Sequence, residues 1–116
     1  PPQHDPTLPI SAVSIMQSFK TMFDPARAQG AEMRLGFALG EDRMVVSVAG
    51  GIIDAMRGEV EGCDVVVRAS AQVVAAAVYG KVPLEGLEGE GAMTIEGDRA
   101  TFARFVDFFH LPEKAG

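Results

Sequence analysis

The side chains with chemistry to offer are few: two histidines, one cysteine and a cluster of glutamates. His4 sits among prolines and His110 lies at the end of the last helical stretch, and neither has a second ligand at metal-binding spacing. Both read as structural or solvated, because a triad or a metal site needs partners that neither has. Cys63 stands beside Asp64 at the start of a Val-rich run and reads as a buried, inert thiol. A lone cysteine forms no intrachain disulfide and suits a reducing, cytoplasmic setting. Glu85, Glu88 and Glu90 alternate with Gly86, Gly89 and Gly91. This is not the dinucleotide fingerprint, where carboxylates would repel a pyrophosphate, nor the spacing of an EF-hand loop. It reads as a solvated acidic turn. No nucleophile elbow and no Walker A loop is present. The expectation is a non-enzymatic chain without metal or cofactor.

Among the elements that must position these groups, the richest stretch is Met93 to Pro112. It reads as a short strand, a Gly97-Asp98 hinge and an amphipathic helix. Asp98 is a natural N-cap, its carboxylate accepting free N–H groups of the first turn. Phe102, Phe105, Val106 and Phe109 recur at helical spacing on one face. Phe108 falls off that stripe and is expected at the surface, marking a partner or dimer face.

Upstream, Pro1 to Pro9 reads as a linker or frayed arm. A helix is expected from Ile10 to Phe23, with Ala12, Ile15, Met16, Phe19, Met22 and Phe23 on its apolar face. Asp24-Pro25 then opens a second short helix ended by Gly30. The period next changes to two: Met33, Leu35, Phe37 and Leu39 form the buried side of a strand. A turn at 40–42 leads to a second strand with Met44, Val46 and Val48 inward. Gly50-Gly51 turns into a third strand, Ile52 to Arg57, and Asp64 to Arg68 is a fourth. Ser70 caps a short helix ended by Gly80. Lys81 to Glu90 is a turn or one-turn helix with Leu84 and Leu87 inward, and Gly91 to Glu96 is the fifth strand. The order is helix, four-strand meander, helix, strand, helix. The fold class is α+β, a five-stranded, mostly antiparallel sheet with helices on one face.

The 116 residues fit one domain, expected over 10–112 with a tail at 113–116. A 47% hydrophobic content without low-complexity tracts marks a folded chain. A net charge of −6 disfavours direct nucleic-acid binding, which needs clustered Lys and Arg. No apolar run approaches a membrane span of about 20 residues, and no secretory signal is visible. The chain begins with Pro instead of Met, so a preceding partner domain is expected. The positive signal is apolar: six methionines accompany seven phenylalanines. Methionine is adaptable and recurs at surfaces that accept varied apolar partners.

The chain resembles the sterol carrier protein family, the type-two sterol-binding domain. The likeness is carried by AEMRLGFALGEDRMVVSVAGG around Gly40, by CDVVVRASAQVVAAAVYGK from Cys63 to Lys81, and by GAMTIEGDRATFARFVDFF from Gly91 to Phe109. The resemblance implies an apolar tunnel under helices and non-covalent binding of sterol, fatty acid or acyl chain. Phe19, Phe23, Leu35, Phe37, Val74, Leu84, Phe102, Phe105 and Phe109 would then line it. A narrower likeness runs through FDPARAQGAEMRLGFALGEDR and the HLP ending, which are similar to the C-terminal domain of some bacterial HxlR-type winged-helix regulators. It implies a sensor of an apolar small molecule (lipid, sterol-like or aromatic) behind an N-terminal DNA-binding domain. The alternatives are a ligand-free dimerisation or interaction module, and an accessory domain of a larger enzyme.

Overall fold

The computed structural model describes residues 11–109. Pro1 to Pro9, His4, His110 and the 113–116 tail lie outside the described residues. The first helix, α1 (Ala12–Met22), starts where Ser11 Oγ accepts the Ser14 N–H at 3.0 Å. Its Ala12, Ile15, Met16 and Phe19 face is buried. The strands β1 (Glu32–Leu39), β2 (Asp42–Ala49), β3 (Ile52–Arg57) and β4 (Val65–Ala69) follow, then α2 (Ala71–Val78), α3 (Leu84–Gly89), β5 (Thr94–Gly97) and α4 (Arg99–Val106). Ser70 and Asp98 cap α2 and α4 through their side chains, as expected from the sequence.

The sheet is five-stranded with order β3-β2-β1-β4-β5. All pairings are antiparallel except β1 with β4, which is parallel. The class is therefore α+β with a mostly antiparallel sheet, but the four-strand meander is not found. After β3 the chain crosses the sheet's helix-free face and inserts β4 on the far side of β1. The physical reason is visible at Gly36, where an added Cβ would lie 2.6 Å from Val60 Cβ. Only a glycine in β1 lets the 58–64 crossover lie this close. Asp64 fastens the crossover: its N–H donates to Arg34 O at 2.8 Å, and its carboxylate accepts the Arg34 N–H at 2.9 Å.

One sheet face carries Met33, Leu35, Phe37 and Leu39 beside Met44, Val46, Val48, Val65 and Val67, and buries them against α1, α2 and α4. Two further expectations are corrected. The Asp24-Pro25 segment is a run of tight turns, not a helix. Asp24 Oδ1 accepts the Ala26 N–H, and Arg27 and Ala28 donate to carbonyls three residues back. Gly30, at φ +76°, arrives too soon for a helix nucleus to repay its ordering. Phe108 is buried, with 1% of its surface exposed. The chain tightens after Val106, with Asp107 and Phe108 N–H groups donating to Arg104 and Phe105 carbonyls. Three residues per turn in place of 3.6 rotates Phe108 inward, against Phe23 and Phe105.

Candidate apolar ligand site

The residues expected to line a cavity are brought together, and most of them fill each other's space. Phe19 stands at the centre, with ring centroids 5.7 Å from Phe37, 5.2 Å from Phe105 and 5.2 Å from Phe109. Phe105 and Phe109 approach to 4.9 Å, and Phe102 lies 6.0 Å from Phe37. Such tilted and edge-on contacts are the favoured aromatic geometries. Leu35 and Val74 are fully buried in the same core. Phe23 is half-buried at its margin, 6.1 Å from Phe109. Leu84 stands apart: it lines a surface cleft of about 260 Å³ with Ala77, Lys81, Val82 and Val106.

Open apolar surface lies elsewhere, in a groove between α1 and the edge strand β3. Val13 and Gln17 form one wall, Met16 and Met44 form the floor, and Ala55 stands on the β3 side. Lys20 and Arg57 stand at the same groove. Its volume is about 180 Å³, less than a whole drug-sized ligand needs. Val13 on the wall is 47% exposed, a large apolar side chain left to solvent, while Met56, paired with Val45, projects from the opposite face of the sheet. Met16 and Met44 at its base are buried.

The groove abuts the aromatic core. Met44 is the direct cross-strand partner of Phe37, and Met16 is one helical turn before Phe19. Thus Met16 and Met44 lie where surface and core touch. Sequence reasoning flagged methionine as adaptable but did not gather these residues into one site. The signal was present in the period-two pattern of β2 and the position of Met16 on α1. What was missing is that β3 is an edge strand, a consequence of the crossover.

Polar chemistry is sparse. Tyr79 OH and Ser18 Oγ lie 2.7 Å apart between α2 and α1, and Ser18 Oγ donates to Ile15 O. That assigns the phenol as donor to Ser18. Burial pushes the Tyr79 phenol up from its ordinary value. Burial likewise pushes the Cys63 thiol up, the direction that disfavours a thiolate nucleophile. Among the described residues, no group of His, Cys, Asp and Glu is arranged to hold a metal, and no helix is long and apolar enough to cross a membrane. Glu88 of the acidic turn is paired with Arg99, Oε1 accepting from Nη2 at 2.6 Å.

An apolar layer of three helix faces over a mixed sheet has solved counterparts. The fold is sterol-carrier-protein-2-like. A ubiquinone synthesis protein, UbiJ-SCP2, matches with a TM-score of 0.68 at 17% identity, over 83% of this chain and 90% of that one. The sterol carrier protein domain 2 of Helicoverpa armigera matches at 0.58 and 14% identity, over 92% and 91%. The stereoselective inverting sec-alkylsulfatase Pisa1 from Pseudomonas sp. matches at 0.78 and 16% identity, over 86% of this chain. This chain spans only 16% of the sulfatase's length. Identities this low carry the fold and nothing finer. No protein-family model matches the chain. No curated protein matches it by sequence.

Proposed function

We propose that this chain is a non-catalytic binding domain for an elongated apolar molecule, lipid-like or aromatic. The observation that carries the reading is the α1–β3 groove, with exposed Val13 above a floor of Met16 and Met44. Unbranched thioether side chains change rotamer cheaply, so the floor can yield to a ligand. Phe19, Phe37, Leu35, Val74, Phe102, Phe105 and Phe109 form the apolar wall that an inserted chain would meet, with Phe23 and Leu84 at its margins. The sterol-carrier-like fold supports the same class of ligand.

The finer proposal is a sensor role in a bacterial HxlR-type transcriptional regulator. It is supported by the sequence likeness through Phe23 to Arg43 and by a −6 charge that would keep this half off DNA. A second reading, an accessory domain within a larger enzyme, is supported by the fold likeness to a segment of an alkylsulfatase. The test common to all is titration with a fluorescent 16-carbon acyl probe, beside native mass spectrometry of the gently purified chain. Saturable binding that Val13→Glu abolishes without unfolding supports the groove. Absence of binding by the folded chain refutes the reading. DNA binding by the full-length chain that changes with the probe separates the sensor from the accessory domain.

A further inference from the structure

The end of α4 is held in an unusual way. Helix C-termini leave their last carbonyls without intrahelical partners, and the helix dipole places negative charge there. Here four consecutive carbonyls are taken by groups from other elements. Lys81 Nζ donates to Val106 O at 2.7 Å and to Phe109 O at 2.6 Å. Arg27 Nη1 donates to Asp107 O at 3.2 Å, and the Asp24 N–H to Phe108 O at 3.0 Å. Lys81 lies between α2 and α3, while Asp24 and Arg27 lie in the turns after α1. Lys81 also adopts φ +57°, the left-handed region that a side chain with a Cβ seldom occupies. Lys81 is exposed, yet its ammonium spans two carbonyls from a left-handed backbone, so it ties separate elements together.

What the tie holds is the wedge of the aromatic core. Phe109 packs against Phe105, Phe19, Tyr79 and Phe23, and bridges Phe23 through the backbone. Phe19 lies one turn beyond Met16, the base of the groove. Withdrawal of Phe109 would clear space beside Phe19 and extend the groove inward. We propose that the Lys81 clamp on the end of α4 is a latch that limits how deeply an apolar chain penetrates from the α1–β3 groove. This rests on the binding reading above and adds its control. A chain longer than the groove gains apolar contact only when the last turn of α4 is released, so it shifts the equilibrium toward release. A short chain gains nothing from release.

The test uses Lys81→Gly and Lys81→Arg. The glycine variant removes the ammonium and relieves the left-handed backbone, so the fold is not burdened at that position. Amide hydrogen exchange of Asp107, Phe108 and Phe109 should accelerate about tenfold or more in Lys81→Gly, the scale of a lost charge-assisted hydrogen bond. Exchange in β1 and β2 should stay unchanged, and Lys81→Arg should restore protection. Binding of a 16-carbon acyl probe should tighten in Lys81→Gly, while an 8-carbon probe binds as before. Unchanged exchange, or uniform acceleration through the whole sheet, overturns the latch. Selective exchange with no change in the longer probe's affinity overturns its control of penetration. Failure of the parent chain to bind either probe overturns the binding reading and, with it, the latch's role.

Discussion

The two ends of α1 present the same apolar chemistry in opposite states. At its C-terminal end, Phe19 and Phe23 are enclosed by rings from α4, and the end of that helix is tied down at every one of its last carbonyls. At its N-terminal end, Val13 and Met16 face an edge strand across an open groove. Aromatic rings fill one end with rigid shapes. Flexible methionines floor the other. The difference teaches that hydrophobic content does not by itself mark a binding site. What marks it is apolar surface left unfilled beside side chains that can move.

The comparison breaks most readily at Phe105. Phe105→Ala removes a fully buried ring that touches Phe19, Phe37 and Phe109. Chemical denaturation should show a loss of about 3–5 kcal/mol. A much smaller loss, with weakened ligand binding, would mean that the closed end is itself an open pocket in solution. Next in size is Gly36→Ala, which drives a Cβ to 2.6 Å from Val60 on the helix-free face. It should cost about 1–3 kcal/mol by overpacking and leave ligand affinity unchanged. Lost affinity there would place the ligand on the wrong side of the sheet. Ser18→Ala leaves the Tyr79 hydroxyl without its partner at the α1–α2 contact. A loss of about 1 kcal/mol is expected in the same denaturation experiment. Smallest on stability, and largest on binding, is Val13→Gln, at an exposed position of the groove wall. An exposed substitution should move stability by no more than about 0.5 kcal/mol, while calorimetric titration shows weaker acyl binding.

Much of this contrast was legible in the sequence. The period-two pattern of Met33 to Leu39 and of Met44 to Val48 gave the inward face of both strands, and Ser70 and Asp98 announced their helices. Those signals are local, set by side-chain alternation and capping chemistry. The order of strands was not legible, because the choice of β4 to pair in parallel with β1 depends on how Val60 meets Gly36, a contact between distant residues. The same ignorance hid the groove, since α1 meets an open sheet margin only because β3 lies at the edge. Phe108 was misplaced because a helical wheel assumes 3.6 residues per turn, and the chain tightens at that residue. The aromatic residues expected around a tunnel were correctly grouped as neighbours. Periodicity shows which residues face inward, but not whether the space between them is filled.

The central claim is that the ligand meets the Met-floored groove, and the methionine methyl groups are built-in reporters of it. We would record methyl spectra of the chain labelled at its six methionines while adding a 16-carbon fatty acid. The account predicts that Met16 and Met44, which floor the groove, shift first and furthest, with Met22, Met33 and Met93 following weakly if at all. Saturating shifts confined to Met33 and Met93, or no shift at any methionine, would contradict it.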